Sequence, residues 1–90
     1  MTALSPRLRA LLDRLPLRAG MRVLEIGCGP GAAAREIVCR IGNGHVLAID
    51  RSAKAIALAR KASAAEIASG RLTLRCVAAE ELELAPGELP

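Results

Sequence analysis

Three glycines on alternate positions, Gly27, Gly29 and Gly31, directly follow an apolar run at residues 21–26. The run contains valine and isoleucine and predicts a β-strand, whereas apolar residues recur at helical spacing from Ala32 onward. Glycines at such a junction allow positive φ and let the backbone approach a ligand closely, because they carry no Cβ atom. The stretch therefore predicts a strand, a tight turn that clears space for a cofactor, and a helix.

Helices and strands alternate along the rest of the chain. A leading amphipathic helix begins at Ser5 and Pro6 and ends near Pro16, because serine caps free amides and proline tolerates the first helical turn. Further on, we expect a helix over 32–41, a strand over 45–49, a helix over 53–68 and a strand over 71–77. This order predicts parallel strands joined by right-handed crossovers, with the first strand beside the second and the third outside.

The predicted fold class is α/β, a three-layer Rossmann-like parallel sheet that is truncated after its third strand. Ninety residues make at most one small domain. Within it we expect a leading amphipathic helix and turn over 1–20, a β-α-β-α-β cofactor-binding unit over 21–78, and a loop or tail over 79–90. In an open parallel sheet, ligands bind outside the carboxyl ends of the strands, which is where the glycine turn falls.

Composition excludes several classes of protein. The chain is 52% hydrophobic and 24% charged, and no apolar stretch approaches the roughly 20 residues that cross a bilayer. A membrane protein is therefore not expected. The first residues lack the continuous apolar segment and the cleavage site of a secretory signal, which predicts a cytoplasmic location.

Cysteine and charge patterns indicate no metal and no nucleic acid. Cys28, Cys39 and Cys76 are too widely spaced for a disulfide framework or a zinc site, and we expect Cys39 and Cys76 to be small buried hydrophobes. Of the 13 basic residues, several arginines near the start are interleaved with leucines, as on the solvated face of a helix. The chain has no aromatic residue on which bases could stack.

Two carboxylates are candidates for ligand binding. Glu25 lies in an apolar strand, where a charge is costly unless it is paired, so we expect it to accept hydrogen bonds from amides of the turn and to lie near a cofactor's ammonium group. Asp50 closes the second strand and faces the same crevice, and one carboxylate offers two acceptors to a vicinal diol. The alternatives are a purely structural role for Glu25 and a surface position for Asp50.

Two cofactor chemistries compete for the glycine turn. GCGPGA satisfies the GxGxxA form of the dinucleotide fingerprint, with Asp50 a little under 20 residues past Gly31. An NAD(P)- or FAD-binding fragment of an oxidoreductase is therefore one alternative. Glu25, two places before the first glycine, and Pro30 give ExGCGPG, which differs from the bare apolar strand usual in dinucleotide-binding proteins.

The segments VLEIGCGPG (23–31), VLAIDRS (46–52) and LRAGMRVLEIG (17–27) resemble the class I S-adenosylmethionine-dependent methyltransferases. The resemblance implies that the turn from Gly27 to Gly31, including Cys28, passes under the methionine and ribose of the cofactor. It also implies that Asp50 accepts hydrogen bonds from both ribose hydroxyls, with Arg51 beside it in the site.

The same resemblance extends past the third strand, where family members often place an aspartate and a small residue against the adenine. This chain reads CVAAEEL, so Ala78 stands where that aspartate would be, and Ala79 and Glu80 match the pattern. Ala79 could offer its backbone amide and Glu80 could substitute for the aspartate. Alternatively, Glu80 and Glu81 are the solvated start of a helix.

A complete fold of this family carries further strands with the substrate residues, so we expect a cofactor-binding half that is inactive alone, with unknown catalytic residues and an unknown methyl acceptor. Ending the sheet here leaves the outer edge of the first strand unpaired, which predicts a homo-oligomer through that edge. A non-catalytic oligomerising module is the remaining alternative.

Overall fold

A computed structural model describes residues 4–87. Its helices are α1 (Pro6–Asp13), α2 (Ala32–Arg40), α3 (Ala53–Ala62) and α4 (Ala64–Ala68), and its strands are β1 (Arg22–Ile26), β2 (His45–Asp50) and β3 (Leu72–Cys76). A 3-10 turn at Ala79–Glu81 follows β3, within the segment expected to be a loop or short helical turn. Residues 1–3 and 88–90 of the two predicted terminal segments lie outside the described residues.

The strands form one parallel sheet in the order β1-β2-β3, as the alternation of elements predicted. The register aligns Glu25 with Ala48 in β2, and Asp50 with Cys76 in β3. Because the strands are parallel, their carboxyl ends lie at one edge of the sheet. That edge carries the glycine turn after β1 and Asp50 at the end of β2.

The hydrophobic core lies between one face of the sheet and the helices. One cluster of packed side chains joins Val46, Ala48, Leu72 and Leu74 to buried residues of α1, α2 and α3. Leu47 and Ile49 alternate with the β2 members and face the opposite side of the sheet, outside this cluster. Within residues 4–87 the predicted Rossmann-like α/β fold with a three-stranded parallel sheet is therefore confirmed, with α1, α2 and α3 contributing to a core on one face of the sheet.

The single helix expected over 53–68 is broken at Ser63. Alanine-rich sequence favours a continuous helix, but α3 ends where the Ser63 amide donates to the Ala59 carbonyl at 2.9 Å, and α4 begins at the next residue. Ser63 is fully buried. A buried hydroxyl requires a hydrogen-bond partner, and Ser63 has one outside its own helix, described below.

Other local predictions were confirmed or corrected by the structure. The Ser5 and Ser52 hydroxyls cap α1 and α3 by accepting from the amides of Leu8 and Ala55, each at 3.1 Å. Cys39 and Cys76, expected to be buried, are exposed. The apolar character of cysteine allowed burial, but both lie at solvent-facing positions. Among residues 4–87, no helix is long and apolar enough to cross a membrane.

Candidate functional site at the carboxyl edge of the sheet

The glycine turn has the backbone conformation that its sequence predicted. Gly27, Gly29 and Gly31 have φ values of 76°, 53° and 88°, in the region that side chains rarely adopt. A Cβ atom at Gly27 or Gly29 would meet no other atom within 4 Å. The turn is therefore open on the side of its first two glycines, where a ligand can approach the backbone.

Asp50 is joined to this turn by a hydrogen bond. Its Oδ2 accepts from the Gly29 amide at 2.8 Å, and its Oδ1 accepts from the Ser52 amide at 2.9 Å. The hydrogen bonds from the Ser52 and Gly29 amides hold the pKa of Asp50 below its usual range, so the carboxylate is ionised at neutral pH. Each oxygen has a second lone pair, and Asp50 can accept from a ligand without releasing the turn.

Glu25 does not brace the turn, which corrects one expectation. The Gly27 and Cys28 amides donate to the Ile49 carbonyl at 2.8 and 2.9 Å, and the Gly31 amide donates to the Cys28 carbonyl. With the Gly29 amide bound to Asp50, each N–H of the turn has an acceptor other than Glu25. Asp50 and the end of β2 thus hold the turn in place.

The Glu25 carboxylate is left without a partner for one of its oxygens. Among the described residues, its buried Oε1 has no hydrogen-bond partner. Burial raises the pKa of Glu25, because the charged form loses its hydration. Glu25 shares the face of β1 that carries Val23, which packs against the core, so the carboxyl group lies on the helix side of the sheet.

A cavity of about 350 Å³ opens at the carboxyl edge of the sheet, beside the turn and Asp50. Its volume falls in the range of small-molecule sites. The lining residues that the sequence analysis had singled out as site residues are Gly27, Asp50, Arg51, Ala79 and Glu80. The other predicted site residues, Glu25, Cys28, Gly29 and Gly31, do not line the cavity.

The remaining walls are apolar and come from residues that the site prediction had omitted. They are Ile26 and Ile49 from β1 and β2, and Val77 and Ala78 after β3. A signal for them was present, since each lies at a strand end, or within two residues of one, on the predicted ligand edge. Ala78, at the position where the resemblance implied an aspartate, gives this wall a methyl group.

An ion pair joins two segments at the cavity. Arg51 Nη2 lies 3.4 Å from Glu80 Oε1, and both side chains are largely exposed. Glu80 lies in the 3-10 turn, so it both lines the cavity and belongs to a short solvated helical turn. Exposed pairs of this kind contribute little to stability, and Glu80 remains accessible to a ligand.

Cys28 is packed into the structure, where its surroundings favour the protonated thiol. Its side chain is buried, and burial together with the nearby charges of Glu25 and Asp50 raises the pKa of its thiol to about 11. The thiolate is the reactive form. No group of three or more His, Cys, Asp or Glu side chains within residues 4–87 is arranged to hold a metal ion.

Together, the parallel sheet, glycine turn and strand-end acid define a Rossmann-like ligand-binding unit. Comparison with protein families identifies the family to which this unit belongs. The family model described as "Methyltransferase domain" matches residues 23–89, and the chain belongs to that family. The matched region begins within β1 and contains the turn, Asp50 and the cavity.

Curated relatives are methyltransferases of several kinds. The chain is similar to trans-aconitate 2-methyltransferase of Methylobacterium nodulans, with 41% identity over 57% of this chain and 20% of the relative. It is also similar to malonyl-[acyl-carrier protein] O-methyltransferase of Enterobacter lignolyticus, with 46% identity over 63% of this chain and 22% of the relative. The matches thus span about a fifth of the length of these relatives.

Solved structures share the fold. Phosphoethanolamine N-methyltransferase 1 of Haemonchus contortus, solved with phosphoethanolamine and S-adenosylhomocysteine, superposes with a TM-score of 0.74 at 21% identity. The match covers 86% of this chain and 16% of that protein. At this identity the likeness establishes the arrangement of strands and helices.

Proposed function

We propose that this chain binds S-adenosylmethionine as the cofactor-binding portion of a methyltransferase. The observation that carries the proposal is the hydrogen bond from the Gly29 amide to Asp50 Oδ2, beside the cavity. It fixes an open glycine turn against an ionised acid, and these two groups suit a nucleoside that carries an amino-acid chain. Membership of the methyltransferase domain family supports this cofactor.

The chain's own groups suit the parts of this cofactor. The free lone pairs of Asp50 suit the two ribose hydroxyls, because a carboxylate accepts two hydrogen bonds side by side. Outside the cavity lining, at the end of β1, the unpartnered Oε1 of Glu25 suits an ammonium group on a chain that extends past the turn, since that group would supply the missing hydrogen bond. The apolar walls formed by Ile26, Ile49 and Val77 suit a purine ring, since its faces are poorly hydrated.

When bound, this cofactor would supply an electrophilic methyl group on a sulfonium: an acceptor bonds to the methyl carbon as the carbon–sulfur bond breaks, and S-adenosylhomocysteine leaves with the electron pair. The rate of such a transfer depends on holding two reactants in contact and in the correct orientation. In this proposal the residues of the turn and Asp50 fix the donor's position. The acceptor approaches the methyl carbon from the side opposite the sulfur.

The proposal is tested by calorimetric titration of the 90-residue chain with S-adenosylhomocysteine and, separately, with NADH. Gly27→Ala and Gly70→Ala are a matched pair of variants. Both glycines have similar positive φ values, 76° and 78°, and a Cβ at either would meet nothing within 4 Å. Each substitution should therefore cost the same backbone strain, about 1–2 kcal/mol.

We expect S-adenosylhomocysteine to bind the wild-type chain and NADH not to bind. Gly27 lines the cavity and Gly70 does not, so Gly27→Ala should weaken binding while Gly70→Ala should leave it unchanged. Binding of NADH in place of S-adenosylhomocysteine would favour the dinucleotide alternative. If neither ligand binds, the non-catalytic module becomes the better explanation.

A further inference from the structure

The glycine turn is supported from behind by an arginine on α2. Arg35 Nη1 donates to the Pro30 carbonyl at 2.9 Å and to Ser63 Oγ at 3.0 Å. Pro30 lies inside the turn, and Ser63 lies at the junction of α3 and α4. One nitrogen atom therefore links the turn to a helix junction that is distant in sequence.

Packing around Gly31 shows that this contact is close. A Cβ atom at Gly31 would lie 3.0 Å from Arg35 Nη1, 3.2 Å from the Ala59 Cβ and 3.5 Å from Ser63 Oγ. The corresponding positions at Gly27 and Gly29 are open. The turn thus has one side free for a ligand and one side pressed against Arg35 and α3.

Ser63 is suited to anchor Arg35. Ser63 is completely buried, so water does not reach its hydroxyl group. A hydroxyl in such a place is fixed by its hydrogen bonds, and so the guanidinium that bonds to it is held in one orientation. That orientation directs the same nitrogen to the Pro30 carbonyl.

We propose that Arg35 is a positioning residue that holds the glycine turn in its ligand-binding conformation, with Ser63 as its anchor. This rests on the function proposed above. A turn with three glycines has many conformations open to it, and apparent affinity falls by the fraction of molecules whose turn is misplaced. Arg35 raises affinity by reducing the alternatives, although it touches no ligand.

The test compares Arg35→Met and Arg35→Lys with Arg40→Met as the matched control. Arg40 lies on the same helix, and its ion pairs with Asp13 and Glu36, at 2.8 and 2.9 Å, are away from the turn. Affinity for S-adenosylhomocysteine is measured by calorimetry. Amide hydrogen exchange of Gly29 and Gly31, measured by NMR without ligand, reports on the turn itself, and the β2 amides of Ala48 and Ile49 report on global unfolding.

We expect Arg35→Met to weaken binding about 5- to 10-fold, the equivalent of about one hydrogen bond. Exchange at Gly29 and Gly31 should accelerate relative to the β2 amides. Arg35→Lys should recover part of both effects, because an ammonium group carries three donors and can bond to two acceptors. Arg40→Met should change neither the affinity nor the exchange of the turn.

Unchanged exchange at Gly29 and Gly31 in Arg35→Met would overturn the proposal, whatever the affinity. Exchange that rises equally in the turn and in β2 would also overturn it, because Arg35 would then be a general contributor to stability. If the wild-type chain does not bind S-adenosylhomocysteine but the turn alone loosens in Arg35→Met, the positioning role stands. In that case the proposed cofactor is wrong.

Discussion

Glu25→Gln is expected to make the ligand-free protein more stable. The substitution keeps the size of the side chain and removes a charge whose Oε1 is buried without a hydrogen-bond partner among the described residues. An unsatisfied buried polar group costs about 1–3 kcal/mol. Because the residue is half-buried and a glutamine amide is itself polar, the gain should lie at the lower end, about 1 kcal/mol.

The gain should depend on pH in a defined direction. Burial raises the pKa of Glu25 in the folded state, so the folded protein holds this proton more tightly than the unfolded chain does. The wild-type protein therefore loses stability as pH rises from the ordinary glutamate range through the raised pKa. The difference between Glu25→Gln and wild type should be small in acid, where both side chains are neutral, and full above the raised pKa.

Thermal and urea unfolding followed by circular dichroism measure this difference. A gain of 1 kcal/mol should raise the melting temperature by about 4–8 °C in a domain of this size. Glu83→Gln, which removes an exposed carboxylate, is the control and should change the free energy of unfolding little. If Glu25→Gln is no more stable than wild type at neutral pH, Glu25 has a partner in solution, and our account of its raised pKa is wrong.

The same substitution should weaken binding of S-adenosylhomocysteine, since a neutral amide attracts an ammonium group less than a carboxylate does. Opposite effects on stability and on affinity are expected where a site retains a costly group for its ligand. A variant that is more stable and binds equally well would remove Glu25 from the proposed site.

Three further predictions concern other parts of the structure. Gly44→Ala should lower the free energy of unfolding by an amount near or above the upper end of the range of about 1–3 kcal/mol for overpacked sites, because the new Cβ would lie 2.1 Å from the Met21 carbonyl oxygen. Urea unfolding measures the loss, with Gly70→Ala as the control. Equal losses in the two variants would contradict the prediction. Iodoacetamide should modify the exposed Cys39 and Cys76 before the buried Cys28, whose thiol has a pKa raised to about 11. Peptide mass spectrometry measures the order in which the three cysteines are alkylated. Early modification of Cys28 would show that the turn opens. Association of two or more copies through β1 stays a prediction from the sequence. It is supported by the position of β1 as an outer strand of the sheet and by Ile26, which is 61% exposed. Light scattering should give the mass of at least a dimer, and the mass of a monomer would refute the prediction.

The cytoplasmic location also stays a prediction, which cell fractionation tests. The methyltransferase family, by contrast, could be recognised from the sequence because its signal is local. The glycines at 27, 29 and 31 and the acid at 50 lie at strand ends, and the alternation of helices and strands brings those ends to one edge. The nearness of the glycine turn to Asp50 follows from that arrangement, whereas the hydrogen bond between them was seen only in the structure.

The ends of the three strands could be predicted from local sequence patterns, whereas other features could not. Sequence periodicity predicted β1, β2 and β3 to within a residue or so at each end. The break at Ser63 was not predicted, because the alanine-rich sequence favours an unbroken helix. The hydrogen bond of Ser63 to Arg35, 28 residues earlier, was not predicted either. The close approach of Gly44 to Met21 was likewise invisible in the sequence.

The sequence by itself determined the order of the elements, the conformation of the glycine turn and the meeting of the turn with Asp50. These depend on periodicity, on the freedom of glycine and on the geometry of parallel strands, all of which act over a few residues or follow from topology. Only the tertiary structure decided that Asp50 braces the turn, that Glu25 is left with an unpartnered oxygen, and that Arg35 supports the turn from behind. Hydrogen-bond partners are chosen by whichever groups packing brings within reach, and packing depends on the whole chain at once.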